Sequence, residues 1–244
     1  MTADFDFRAQ RLHVSNDLSE GAEIVLEPEQ AHYVLNVIRL PVQGRILLFN
    51  GRDGEWKAER LAGGKREARF AVSGQTRAQP PALTREYAFA PLKHARLDYM
   101  VQKAVEMGAG VLTPVHTRYT QVSRINLERM TANAVEAAEQ CGILTLPVVN
   151  APRSLSQWLE ELSPERTLVF CDEGAPEADP ITALRTASDR PVSVLIGPEG
   201  GFSPEERMEL SRRSVVLSLG PRILRADTAA VAALALVEAA GCVR

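Results

Sequence analysis

The chain has 244 residues, 45% of them apolar and 24% charged, with 28 basic and 31 acidic side chains for a formal charge of −3. That is ordinary globular composition, which excludes a disordered chain, a collagen-like chain and a small disulfide scaffold. The longest apolar run, 229–237, falls far short of the roughly 20 residues of a membrane span, and the acidic opening lacks the basic start and apolar core of a signal peptide, so a cytoplasmic protein is expected.

The first 75 residues predict short strands around one helix. Pro28 suits a first helical turn, and Ala31, Val34, Leu35 and Ile38 follow with helical spacing. Arg45-Ile-Leu-Leu-Phe49 is an apolar strand closed by the turn signal Asn50-Gly51. In 55–59, Trp56 and Ala58 alternate with charge, as do Ala68, Phe70 and Val72 after the turn at Gly63-Gly64. Trp56 could stack a base, but in an alternating strand it reads as core. These elements suggest a small β-barrel carrying one helix. The polar stretch 74–82, with its Pro80-Pro81 pair, reads as a linker.

After it the rhythm becomes strand–helix alternation. Strands are predicted at 87–91, 111–115, 167–171, 192–196 and 215–219. Helices are predicted through Leu97–Val105 to Gly108, from the cap Asn126 to Gly142, after Ser154, after Asp179-Pro180, after Ser203 and over 227–240. Ser154-x-x-Gln157 and Ser203-Pro204-Glu-Glu206 are capping boxes, the second with proline at the first helical position. The expected fold class is α/β with a largely parallel sheet, 76–244, preceded by the small barrel domain, 1–75.

Charge is segregated along the chain. Residues 1–38 hold two basic and seven acidic side chains, whereas 39–77 hold nine basic and four acidic ones, a local +5. A basic stretch on an acidic protein can attract phosphate. Cys141, Cys171 and Cys242 form no C-x-x-C pair, and the four histidines have no ligand spacing, so neither disulfides nor a metal are expected. Cys141 and Cys171 read as small buried residues rather than nucleophiles.

Two loops stand out: Ile196-Gly-Pro-Glu-Gly-Gly-Phe-Ser203 and Leu219-Gly-Pro-Arg-Ile-Leu-Arg-Ala-Asp-Thr-Ala229. Both begin with Gly-Pro directly after a strand, the end of a parallel sheet where ligands bind. Glycine admits a ligand close to the backbone and proline stiffens the loop, a combination suited to holding a flat heterocycle by backbone groups. Arg222 and Arg225 flank Ile223 and Leu224, which read as buried. Neither loop is a P-loop or a dinucleotide fingerprint.

These loops resemble those of the SPOUT-class RNA methyltransferases, and most closely the RsmE-type enzymes that methylate N3 of a uridine in 16S ribosomal RNA of the small subunit. Lys103-Ala-Val-Glu-Met-Gly108 and Glu136-Ala-Ala-Glu-Gln-Cys-Gly142 resemble further segments of that family, and the N-terminal domain resembles its PUA-like RNA-binding module. The chain departs from the family pattern at Ile143, at Thr117-Arg-Tyr-Thr120 and at Asp227, where the family has a glutamate. The resemblance implies S-adenosyl-L-methionine as cofactor, a trefoil knot in the C-terminal domain, and a homodimer acting on 16S rRNA without metal or membrane. It implies cofactor binding by Gly197, Pro198, Glu199, Gly200, Gly201, Leu219, Gly220, Ile223, Leu224, Arg225 and Thr228. Arg225, or Arg8 and Arg11 from the N-terminal domain, would act in catalysis. Arg8, Arg11, Arg39, Arg52, Lys65 and Arg66 would bind RNA. Methyl transfer to another RNA nucleotide, a non-catalytic RNA-binding protein and a small-molecule α/β enzyme are the alternatives. The RNA-binding protein would not need the loops, and the small-molecule enzyme would not need the basic module.

Overall fold

The computed structural model describes residues 9–64, 66–176, 179–185 and 190–241. They divide into two compact units, Met1–Pro81 with Ala138–Leu146, and Ala82–Ala137 with Pro147–Arg244. Arg8, Lys65 and Cys242 lie outside the described residues.

The first unit is a five-stranded sheet in the order β1-β3-β4-β5-β2. Its strands are β1 (Arg11–His13), β2 (Glu23–Val25), β3 (Arg45–Phe49), β4 (Glu55–Arg60) and β5 (Arg69–Arg77). β1 pairs with β3 in parallel and the other ladders are antiparallel. Among the described residues no ladder joins the edge strands β1 and β2, so the sheet is open where a closed barrel was expected. The stretch expected as a linker is strand up to Arg77, because Thr76 and Arg77 are bound to Glu55 of β4. Leu12, Ile24, Ile46, Leu48, Phe70 and Val72 form the core, with Val34 from the helix and Trp56 packed at its margin. The Trp56 indole N–H donates to the Asp53 carbonyl at 2.8 Å.

The predicted helix is shorter and less regular than its apolar spacing suggested. α1 (Pro28–His32) widens into a π-helical turn, Tyr33–Val37, in which the Ile38 N–H reaches the Tyr33 carbonyl at 3.0 Å. The chain then leaves the helix through Arg39 in the left-handed region, φ 51°. Arg39 is exposed there.

Ion pairs consume much of the charge that the sequence segregates. Arg52 pairs with Asp17 at 2.5 Å, Arg69 with Glu23 at 2.7 Å and Arg45 with Glu59 at 3.1 Å. Arg11, expected at the RNA-facing surface, is only 4% exposed, because its Nε donates to Glu55 Oε2 at 2.9 Å. Arg77 holds the same carboxylate through Nε at 2.9 Å and Nη2 at 2.5 Å, and the Thr76 hydroxyl adds a contact at 2.7 Å. Burial alone would push the Glu55 carboxyl up, but the bonds from Arg77, Thr76 and Arg11 outweigh it and hold the group below its ordinary value.

The second unit is a sheet in the order β12-β10-β11-β6-β7-β8, with β9 also paired to β7, and every ladder is parallel. In chain order its elements are β6 (Glu86–Phe89), α2 (His94–Glu106), β7 (Val111–His116), α3 (Leu127–Cys141), β8 (Val148–Val149), β9 (Arg153–Ser154) and α4 (Leu155–Glu161), then β10 (Thr167–Cys171), α5 (Pro180–Arg185), β11 (Val192–Ile196), α6 (Pro204–Arg213), β12 (Val215–Leu217) and α7 (Ala226–Ala239). The last residues of α3, from Ala138, belong with the first unit. Cys141 is exposed there rather than buried as expected. All five residues of β11 are buried, as a strand covered on both faces requires. Both predicted capping boxes form, over α4 and α6, and Asn126 caps α3 by accepting the Arg129 N–H at 2.9 Å. Among the described residues no helix is long and apolar enough to cross a membrane.

The Glu55 cluster predicts how the first unit responds to substitution and acid. Glu55→Gln removes the carboxylate that Arg11 and Arg77 share and should cost about 3–5 kcal/mol of stability at neutral pH. Because the folded carboxyl titrates below its unfolded value of about 4.3, its stabilisation is full above that pH and lost as the pH falls through the folded value. Urea titrations of wild type and variant across that range should converge in acid. A constant gap would refute the assignment.

Candidate active site

The parallel order delivers three loops to one rim. β10 lies between β11 and β12, with Phe170 beside Leu195 and Cys171 beside Leu217. The loops that follow these strands therefore stand side by side. They enclose a cavity of about 260 Å³, just below the roughly 300–1,000 Å³ of typical ligand pockets. The sequence identified the loops after β11 and β12 but not the one between them, Cys171-Asp172-Glu173, which lines the same cavity. The missing signal is strand order: nothing in a linear pattern says that β12 returns to the far side of β10.

Each loop is held by local chemistry. A Cβ on Gly197 would stand 2.3 Å from the Phe202 ring, so only glycine lets that ring close over the loop. Phe202 in turn meets Phe170 edge-on, with centroids 5.0 Å apart, and so fastens the loop to the sheet. Gly201 and Gly220 take φ of +68° and +97°, the left-handed region that favours glycine.

The cavity gathers most of the expected residues: Gly197, Pro198, Glu199, Gly201, Leu219, Gly220, Ile223, Leu224 and Arg225. Gly200 and Thr228 are not among its lining residues. Gly200 faces the other side of its loop, where an added Cβ would meet that of Tyr119 at 3.2 Å. The Thr228 N–H is spent on Asp227 Oδ1 at 2.8 Å. Ile223 reaches the rim yet is 84% exposed, against the expected burial, because it sits in the loop between β12 and α7 and not in either element. Tyr119, at one of the departures from the family pattern, is held in a turn whose Arg118 N–H donates to Glu206 Oε1 at 2.8 Å.

Carboxylates on and beside the cavity rim are met by arginines from neighbouring helices. Arg207 of α6 binds Asp172 at 3.0 Å. Arg96 of α2 donates through Nε to Asp227 Oδ2 at 3.1 Å and through Nη1 to Glu199 Oε1. Burial alone would raise the Asp227 carboxyl, but Arg96 and the Thr228 N–H hold it below the ordinary carboxylate range. Arg225 is the N-cap residue of α7 and is exposed, and no ion pair or hydrogen bond of its guanidinium is seen among the described residues. Asp227 is engaged by Arg96, not by Arg225. Burial pushes the Cys171 thiol up to about 12, so it stays protonated at neutral pH and is a poor nucleophile.

A family model for the RNA methyltransferase domain matches residues 79–238. The chain is 31% identical over 235 residues to the ribosomal RNA small subunit methyltransferase E of Rickettsia conorii, covering 95% of this chain and 96% of that protein. Among solved structures, the ribosomal RNA small subunit methyltransferase E of Neisseria gonorrhoeae, bound to S-adenosyl methionine, superposes with a TM-score of 0.86 at 25% identity, covering 95% of this chain and 98% of that one. A methyltransferase of Legionella pneumophila in complex with SAM superposes with a TM-score of 0.85 at 28% identity, covering 96% and 98%. With a family model over more than half its length and a full-length relative at this identity, the chain belongs to the RNA methyltransferase family, in its small-subunit type E group.

Proposed function

We propose that this protein transfers a methyl group from S-adenosylmethionine to N3 of a uridine in 16S ribosomal RNA, using the three-loop cavity as donor site and the first unit as an RNA contact. The observation that carries the reading is the convergence of two Gly-Pro loops and the Asp172 loop on one rim of a parallel sheet, in a chain of this family. S-adenosylmethionine has a flat purine, a cationic sulfonium and a zwitterionic tail, and the lining offers a match to each. Leu219, Leu224 and Ala229 are apolar, the loop backbones present amide groups, Asp172 and Glu173 are anionic, and Arg222 is cationic. The same reading takes the second unit as a SPOUT-like, trefoil-knotted domain, the first as a PUA-like module, and the protein as a cytoplasmic homodimer.

When bound, the donor supplies an electrophilic methyl group on sulfur. The protein's task is position and charge, since an in-line displacement needs alignment more than covalent help. The imide N3 of uracil becomes nucleophilic once it loses its proton, and a cation beside the developing negative charge favours that form. Arg225 suits this role, because it is among the residues that line the cavity and Asp227, the nearest expected anchor, is already taken. Methyl transfer by purified protein to small ribosomal subunits lacking the modification, with the product base identified by mass spectrometry, tests the reading directly. Modification at another atom or nucleotide would redirect it.

Arg225→Ala should lower the single-turnover rate by about 10²–10³-fold at saturating donor and RNA. Donor affinity by calorimetry and the thermal midpoint should change little, since the side chain anchors nothing among the described residues. A rate equal to wild type would remove Arg225 from catalysis.

Arg39, Lys57 and Arg66 are exposed, and no ion pair is seen for them among the described residues of the first unit. Replacing all three by Ala should weaken RNA binding. The slope of log affinity against log salt should become shallower by about one for each phosphate that is no longer neutralised. An unchanged slope would take these residues out of the interface.

A further inference from the structure

The loops around the cavity do not set their own separation. The 197–201 loop contributes Glu199, and the loop after β12 leads into α7, whose first turn carries Asp227. A single side chain from a third element, Arg96 in the first turn of α2, binds both carboxylates. The guanidinium is a rigid planar fork, so its two engaged nitrogens fix direction as well as distance. An ammonium is a single point of charge and cannot do the same. The third nitrogen, Nη2, is buried with no hydrogen-bond partner among the described residues.

Fold stability alone does not account for this arrangement. Glu199 is 53% exposed, and an ion pair in that setting contributes little to stability. Asp227 sits in the first turn of a helix, where a carboxylate is favoured without a partner, and it already accepts the Thr228 N–H at 2.8 Å. What Arg96 adds is a fixed relation between the two loops. Asp227 lies two positions beyond Arg225, so the brace also fixes where that guanidinium begins.

We propose that Arg96 is a positioning residue for methyl transfer. By clamping Glu199 and Asp227 it holds the 197–201 loop and the start of α7 in the register that aligns the donor with the acceptor base. It touches neither reactant and acts through the two loops. This role rests on the reading of the cavity as the donor site.

The test uses the full-length protein with S-adenosylmethionine and unmodified small subunits. Arg96→Gln should reduce the single-turnover rate at saturating donor and RNA by about 10–100-fold, the scale expected when reacting groups are slightly misplaced. Its thermal midpoint should fall modestly, since Asp227 loses its partner while only 17% exposed, so the rate is taken per folded molecule. Arg96→Lys should recover only a small part of the rate, because it restores the charge but not the fork. Glu199→Gln, which alters an exposed side chain and leaves folding intact, should lower the rate in the same direction. In the double variant with Arg96→Gln it should add little further loss, as two members of one interaction do. Full rate in Arg96→Gln or in Arg96→Lys would overturn the role. So would a fall in thermal midpoint with normal rate per folded molecule, or full additivity in the double variant. Failure of the wild-type chain to bind S-adenosylmethionine by calorimetry would overturn the donor-site reading itself and this role with it. A wild type that binds and methylates beside an equally fast Arg96→Gln variant would overturn the positioning role alone.

Discussion

A parallel ladder can be continued only by a crossover that carries the chain back to the starting end of the sheet. Every strand of the second unit obeys this, so every strand is left at the same end, and all functional loops must emerge there. The order β12-β10-β11-β6 then decides which loops are neighbours. Because β12 returns outside β10, the loops after β10, β11 and β12 form one continuous rim, and the start of α2, which follows β6, stands next along it. The cavity, the Gly197–Phe202–Phe170 fastening and the Arg96 brace all depend on that order. An antiparallel strand in place of any one of them would send its loop to the opposite end.

The rim combines stiff backbone with paired charge. Glycines allow the close approaches and positive φ that the loops require, and aromatic contact with the sheet limits the freedom they would otherwise have. The carboxylates Asp172, Glu199 and Asp227 are each engaged by an arginine from a helix. Such pairs add little to stability where they are exposed, but they fix loop positions that hydrogen bonding within a short loop cannot. Arg225 stands outside these pairs among the described residues, and that makes it chemically different from Arg96 and Arg207.

Local signals in the sequence translated into structure wherever the physics is local. The capping boxes at Ser154 and Ser203 form because their partners lie three residues away. β11 is buried along its whole length because its apolar residues are covered on both faces and its one polar side chain, Ser193, donates to Glu86 Oε2 at 2.5 Å. Failures came where the deciding interaction is remote. Arg11 is buried by Glu55, 44 positions away, and no periodicity marks that pair. Residues 138–146 join the first unit although α3 looks continuous, and β10 enters the site only through strand order. Ile223 looked buried beside Leu224, yet it is 84% exposed, because no neighbouring element covers its position in the loop after β12 among the described residues.

The charge pattern shows the same gap between line and space, and it bears on how RNA would be held. The acidic first 38 residues and the basic stretch after them read as separate electrostatic regions. In the folded unit they answer one another: Asp17 meets Arg52, Glu23 meets Arg69, and Glu55 gathers Arg11 and Arg77. The described part of the unit therefore has most of its charge paired, and among the described residues the unpaired cations include Arg39, Lys57 and Arg66. At roughly 0.7 units of salt slope per neutralised single-strand phosphate, three such cations make a weak, readily reversed attachment. On an acidic chain this favours release from arbitrary RNA, since the remaining surface repels it. In the proposed reading, selection of the target then rests on whether a base can enter the three-loop rim in line with the donor. That is a matter of loop geometry, which the parallel order of the sheet and the arginine braces determine.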